Sequence, residues 1–585
     1  MTVAQQGIPV IPELDSGLPR RMHPAAALIL ILAAVGHLVW GRLVWSEIPL
    51  QTDTGIWAYF GGRMLDGAQL YRDLWESKPP GIFWTFALIE GLFGRGDDAA
   101  LLWLDAVVTV GLCAVTFVAA TRFASRGTAL CAVCLLSVLL NHRILADWGN
   151  NLEKFVALFE MLALLLLLPH GKTGNPSVAG PDRVSSRLIA AGFCCGVALL
   201  FKQTAIILPI ILIVCMLRGS QAIRIAPGKL RSFLLFAAGL ALPWIATVIW
   251  LISNDALGGF WRQVVIHDVA RASTAETERF QLARWDHWAN VGRHLLLALA
   301  IFGPALAACV ALVRRGSGST AQSNASRPAG LSLLAAYAVL VTLVFTLAPF
   351  GYGHYLLQSL PAATILVAWL CDAGATATVR LARIVAIAAF LIGVLQLNDH
   401  FRFLSEPDCD ARRAYAFISQ RTSGLVQVVE EVSNADQSVM LWPADHAVNY
   451  YAKRRTQLEF CQAIDIFRGR VYLLDPPIPQ VIDRLQSEPP DTIVDWTPIA
   501  VGRSSEGPSS GLTLLVPAGG YSLAEDPDPD HPYLEGRLLY PLKNWLRTNY
   551  GGQKRVANLC TVYYRGRPWR DWRDYLPGSE PILAD

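Results

Sequence analysis

The sequence predicts a multi-pass α-helical membrane protein, with about 11 crossings, that ends in an α/β domain on the outer face. Three observations carry this reading. The chain is 53% hydrophobic and 16% charged, where soluble proteins average about 25% charged. Several apolar runs reach the ~20 residues that cross a hydrocarbon core. From about residue 400 the charge density rises and the apolar runs shorten to strand length. The formal net charge of +3 gives no argument for a nucleic-acid partner, and none is expected.

Residues 1–24 are polar and end in Arg20-Arg21, which marks a cytoplasmic N-terminal segment. The apolar run that follows, 25–45, has no clean small-residue cleavage site, so it reads as a retained helix rather than a signal peptide. Further runs occur at 81–94, 100–121, 128–146, 153–169, 188–201, 204–217, 232–253, 293–313, 330–348, 355–371 and 381–398. Lys and Arg cluster before 25, at 122–126, 172–187, 218–231, 314–327 and 380–383. If short basic loops face the cytoplasm, the runs between clusters cross in pairs. Runs 25–45 and 100–121 already form one pair, so 81–94 lies in the interface or dips and returns. Its roughly 21 Å, at 1.5 Å per residue, suits that place. The segment 46–99 is then one outer-face loop, and 147–152, 254–292, 349–354 and everything after 398 share its side. The segments 171–187 and 316–328 read as flexible cytoplasmic loops.

Within the membrane domain, 25–399, eight cysteines lie in apolar runs and read as small buried hydrophobes. Cys131 and Cys134 form a CxxC without a second pair, a poor metal signature. In the C-terminal part, 400–585, strands are expected at Val426–Val429, Val439–Trp442, Val471–Leu474, Thr492–Trp496, Leu512–Val516 and Cys560–Tyr564. Helices are expected at Ala411–Arg421, with Asp410 as N-cap, at Asp445–Lys453 and at Ile478–Gln486. The acidic, proline-rich 524–533 reads as an exposed loop. Cys409, Cys461 and Cys560 allow one disulfide with one thiol left over.

The stretch Pro49–Pro80 is too polar to span a bilayer. It nevertheless holds five aromatics, four acids (Asp53, Asp66, Asp73, Glu76), two arginines, and Lys78 followed by two prolines. Asp53 follows the first helix closely: it either caps the helix Gly55–Arg63 or takes a proton from an acceptor hydroxyl. Lys78 either snorkels to headgroups or holds a lipid phosphate at the interface. Glu153, at the start of a helix in DWGNNLEKF, is either capped by Asn150 or Asn151 or serves as a second site acid. Lys202-Gln203 and His354-Tyr355 mark helix ends where polar groups tend to be functional. No HExxH, P-loop, GxSxG or dinucleotide fingerprint is present, which removes several enzyme classes.

The run TDTGIWAYFGGRMLDGAQLYRDLWESKPPGIFWTFAL resembles the first outer loop of the GT-C glycosyltransferases. The likeness is to the bacterial family 39 branch, which is related to protein mannosyltransferases and to the aminoarabinose transferase of lipid A. Leu70 replaces the proline of that family's PY turn. NLEKF at 151–155, LLFKQTA at 199–205 and GHYLLQSLP at 353–361 are similar to its later segments, so the resemblance covers the membrane half. It implies an inverting transferase that uses a polyprenyl-phosphate-linked sugar and a glycan, lipid or protein acceptor. Its implied site has Asp53 and Glu153 as catalytic acids, and Lys78, Arg63, Tyr71 and Lys202 on the donor phosphate and lipid. Tyr59, Glu76, His354 and Tyr355 then shape the substrate pocket. No cofactor is certain; two acids and a histidine leave a divalent metal open. The alternatives are a transporter or flippase of lipid-linked sugars, disfavoured because no internal repeat appears, and an inactive scaffold whose outer domain binds a partner.

Overall fold

The structure, a computed structural model, describes residues 22–46, 48–50, 52–146, 151–168, 181–220, 222–223, 228–270, 326–346, 353–372, 395, 410–463, 474–496, 530, 534–556 and 560–566. Helix α1, Pro24–Trp45, starts on a proline and on the His23 imidazole, which accepts from the Ala25 amide. A short connection leads to α2, Thr52–Leu65, and the polar loop after it to α3, Gly81–Phe93. Asp97 caps α4, Asp98–Ala120, and Ser125 caps α5, Arg126–Leu140. The single turn α6, Arg143–Ala146, precedes α7, Leu152–Leu167, and α8, Pro181–Phe201. A 3₁₀ turn, Gln203–Ile206, opens α9, Ile207–Arg218, and α10 runs Lys229–Ser253. The turn α11, Leu257–Phe260, passes directly into a π-helical segment, Trp261–Ile266. Helix α12 is Ser326–Thr346; a 3₁₀ segment, Gly353–Gln358, leads into α13, Leu360–Asp372.

Among the described residues four helices are long and apolar enough to cross a bilayer: Pro24–Trp45, Asp98–Ala120, Arg183–Phe201 within α8, and Lys229–Ser253. The expected run 188–201 is thus too short. Its helix starts at Pro181 and takes in Arg183 and Arg187, so 181–187 is not the flexible loop expected there. Likewise α12 takes in 326–328. The runs 293–313 and 381–398 lie outside the described residues, apart from Leu395. Exposed Leu28, Ile29 and Leu32 on α1 and Ile245, Ile249 and Ile252 on α10 are what a lipid-facing side requires. Helix α3 has 13 residues. It buries Ile82, Phe83 and Phe86 and exposes Leu88, Leu92 and Phe93, two apolar sides with different neighbours.

Small residues set the closest helix pair. A Cβ on Gly192 would fall 2.0 Å from Phe236 O, one on Gly239 2.0 Å from Ile189 O, and one on Gly196 2.5 Å from Leu240 O. Gly192 and Gly196 are four apart on α8, the spacing that lets two membrane helices touch backbone to backbone. Charge joins other helices. Asp105 of α4 receives both Arg42 of α1 and Lys154 of α7, the latter at 2.9 Å, and Arg42 also donates to Asn141 at 2.9 Å. All four are buried. The apolar core between these helices includes Leu112, Leu136, Met161, Leu164, Leu334 and Leu366.

The polar part is built on a four-stranded sheet, β1 Val439–Trp442, β2 Thr492–Asp495, β3 Tyr550–Val556 and β4 Cys560–Arg565, in the order β1-β2-β4-β3. β1 and β2 run parallel and the other pairs antiparallel. Strand alternation sorts the side chains. Met440 and Trp442 face α16, Ile478–Ser487, and α17, Leu534–Asn549. Val439 and Leu441 face α14, Asp410–Val432, and α15, His446–Ala452.

The expected strand Val426–Val429 is instead helix within α14. Leu425, Val428, Val429 and Val432 repeat at helical spacing and pack one face of the sheet. The expected strands at 471–474 and 512–516 lie outside the described residues except for Leu474, which is not in a strand. Cys461 and Cys560 are free thiols in clusters on opposite faces of the sheet, so they form no disulfide with each other. Cys409 and the loop 524–533 lie outside the described residues, apart from Asp530.

Candidate active site

Asp53 stands in the first turn of α2, where the helix dipole favours an anion, and its side chain is 58% exposed. The loop after α2 returns Lys78 to it. Tyr71, buried and at φ 69°, turns the chain, and its hydroxyl donates to Lys78 O at 2.7 Å. Burial, with the charge of Glu76 adding to it, holds the Tyr71 phenol well above its ordinary pKa, so it acts as a fixed donor. Gln263 of the π segment clamps the loop from the other side. Its amide donates to Tyr71 O at 3.0 Å and accepts from the Glu76 N–H at 3.1 Å. Gly259 is required there, since a Cβ would fall 1.9 Å from Tyr71 O. The Lys78 ammonium then lies 3.7 Å from Asp53 Oδ2, 3.5 Å from Glu76 Oε1 and 5.5 Å from the centre of the Trp57 ring.

A second group assembles beside it. Glu153, in the first turn of α7, pairs with Lys202 at the end of α8. The Lys202 ammonium also sits 4.1 Å above the Tyr355 ring, which packs edge-on against His354 at 4.7 Å. His354 lies within electrostatic range of Glu153. The bridge between the groups is Gln203, whose amide donates to Ser77 O and to Asp268 Oδ2, each at 3.0 Å. Gly81 closes the same junction, because a Cβ there would meet Leu200 O at 2.6 Å. Asp53, Glu76, Lys78, Glu153, Lys202, His354 and Tyr355 therefore belong to one neighbourhood.

Two expected site residues face elsewhere. Tyr59 OH donates to Glu459 Oε2 at 3.0 Å, and Arg63 donates to both Glu459 oxygens at 3.0 and 3.2 Å. Both are committed to the C-terminal domain, because α2 presents them one and two turns beyond Gly55 on the side where α15 docks. Tyr71, expected on the donor, is buried and supports the loop instead. Gln203 was marked in the sequence only as the neighbour of Lys202 at a helix end, and Gln263 and Glu459 escaped the sequence reading: each is a single polar residue whose partners come from distant segments. Among the described residues no three His, Cys, Asp or Glu side chains cluster in a way that could hold a metal ion.

Residues 77–250 match the family described as dolichyl-phosphate-mannose-protein mannosyltransferase. The match takes in Lys78, Glu153 and Lys202 and begins after Asp53. Two crystal structures of ArnT from Cupriavidus metallidurans, one apo and one bound to undecaprenyl phosphate, are similar to this chain at TM-score 0.51 and 16% identity. Each similarity covers 82% of this chain and 95% of the other. The fold is that of the GT-C glycosyltransferases. The Archaeoglobus fulgidus oligosaccharyltransferase in complex with Zn and sulfate gives TM-score 0.48 at 13% identity, over 92% of this chain and 73% of that one. Comparison with curated proteins gives no sequence match. On the GT-C framework of this chain the acids and lysines meet at one end of α2, α7 and α8, not at the middle of the helices.

Proposed function

We propose that this protein transfers a sugar from a polyprenyl-phosphate-linked donor to an acceptor hydroxyl at the outer face of the cell membrane, with inversion. The observation that carries the reading is the Lys78 ammonium set between the carboxylates of Asp53 and Glu76. Both contacts are longer than the 2.7–2.9 Å of a strong charge-assisted hydrogen bond. A phosphate oxygen can replace them at small cost.

In the proposed reaction the acceptor oxygen attacks the anomeric carbon from the face opposite the phosphate. The sugar–oxygen bond to the phosphate breaks, and its electron pair stays on the leaving phosphate. Lys78 stabilises that charge as it develops. Asp53 receives the hydroxyl proton. The phosphate is already a weak base, so no general acid is needed. Glu153 is the second acid; paired with Lys202 and backed by His354 and Tyr355, it orients the sugar or the phosphate. The ArnT structure bound to undecaprenyl phosphate supports this donor class.

The test is direct. Purified protein is incubated with polyprenyl-phosphate sugars, and polyprenyl phosphate release and the new glycoside are followed by mass spectrometry. Loss of no glycan or lipid in a deletion strain, together with no transfer in vitro, would reject the reading.

A further inference from the structure

Glu459 lies in the 3₁₀ turn Gln457–Phe460 of the C-terminal domain, far along the chain from the site, yet it touches both segments that form the Asp53–Lys78 pair. Its carboxylate, 4% exposed as a residue, accepts from Tyr59 at 3.0 Å and from Arg63 at 3.0 and 3.2 Å, both on α2, the helix that begins with Asp53. Its backbone carbonyl accepts from the Trp75 amide at 2.6 Å, three residues before Lys78. The remaining contact, from Arg455 Nε at 3.1 Å, is internal to the C-terminal domain. The grip is rigid. The Thr456 amide donates to Tyr59 OH at 3.0 Å. Burial acts against the Arg63 charge, but the Glu459 hydrogen bond and charge outweigh it and hold the guanidinium above its ordinary pKa.

We infer that Glu459 is a positioning residue: it sets the distance between the helix that carries Asp53 and the loop segment that carries Lys78. The inference rests on the glycosyl-transfer reading of that pair. The C-terminal domain thereby becomes part of the machinery, because without its clasp the two charged groups lose their common reference point. A buried ionic hydrogen-bond group with one partner removed leaves the others unsatisfied, so the loop is expected to loosen before the domain unfolds.

The experiment compares full-length Glu459→Ala, Glu459→Asp and Arg455→Ala with wild type. It measures sugar-transfer kinetics and hydrogen exchange at residues 73–78 on detergent-purified, monodisperse protein. The expected result is a fall in kcat of at least tenfold for Glu459→Ala, with faster exchange at the Trp75 and Glu76 amides. Glu459→Asp restores part of both, and Arg455→Ala stays within twofold because it leaves α2 and Trp75 held. Equal losses in Glu459→Ala and Arg455→Ala would mean a role only in the domain's own fold and would overturn the inference. So would unchanged exchange at 73–78, or faster exchange with unchanged kcat. If wild type transfers no sugar, the functional reading fails, while the exchange comparison still decides whether Glu459 holds the loop.

Discussion

The Lys78 ammonium lies 3.7 Å from the Asp53 carboxylate, although the helix α2 and a buried turn separate them in the chain. The pair forms because Tyr71 and Gln263 fold the intervening loop back on the first turn of α2. Its two members differ in exposure, 58% for the acid and 26% for the amine. That suits an acid open to an acceptor and a cation held at a fixed depth.

Asp53→Asn removes the proposed base and keeps its shape. Turnover should fall by about 100- to 10,000-fold, while polyprenyl phosphate still binds, as followed by native mass spectrometry. Wild-type turnover would assign the base elsewhere, with Glu153 as the next candidate.

Lys78→Ala should cost about 100-fold in turnover and weaken binding of polyprenyl phosphate. The acceptor KM should stay near its wild-type value. Lys78→Arg should recover part of the donor binding, since it restores the charge but not the compact ammonium. An unchanged donor KM and rate in the alanine variant would reject the phosphate role.

Gly55, two residues after Asp53, packs so closely on α15 that a Cβ would fall 2.6 Å from the Ala447 Cβ. Gly55→Ala should therefore loosen the docking of the C-terminal domain by about 1–3 kcal/mol, seen as a lower melting temperature. Adding Ala447→Gly should recover part of it, because the missing methyl removes the closest contact while the backbone Cα of residue 447 stays 3.0 Å away.

His446 packs against Tyr59 and Phe60 at ring distances of 5.4 and 5.5 Å, and burial pushes its pKa down to about 4. The unfolded chain then binds a proton near pH 6.5 that the folded chain refuses until about pH 4. Stability from this site is complete above pH 6.5 and is lost as pH falls between those values, on the order of 3 kcal/mol. Melting temperature measured against pH should show the slope, and His446→Phe should flatten it.

Asp105 holds two buried cations, Arg42 and Lys154. Asp105→Asn leaves both uncompensated and should destabilise the membrane domain by about 3–5 kcal/mol, read as lost monodisperse protein. Lys154→Met added to it should recover part of the yield.

Much of the membrane domain was legible because its signals are local. Apolar runs placed the helices α1, α4 and α10 to within a few residues, and the Lys78-Pro-Pro turn marked where α3 begins. The clearest local error came from reading Val426–Val429 as a short apolar run, when Leu425, Val428, Val429 and Val432 show a helical repeat. The GxxxG spacing of Gly192 and Gly196 went unread in the sequence, because its partner on α10 lies far along the chain. Within the site, Asp53, Glu76, Lys78, Glu153, Lys202, His354 and Tyr355 stand out as polar groups at the ends of apolar helices, where desolvation makes them costly and functional residues concentrate.

The sequence by itself determined the membrane class, the long apolar helices α1, α4 and α10 and the polar ledge between Pro49 and Pro80, because hydropathy and proline act on neighbouring residues. Only the tertiary structure decided which charges meet. Tyr59 and Arg63 share α2 with Asp53, yet they turn to Glu459, while Asp53 faces Lys78. Helix geometry sends residues of one segment to different sides, and the partner on each side is supplied by chain that arrives from far away.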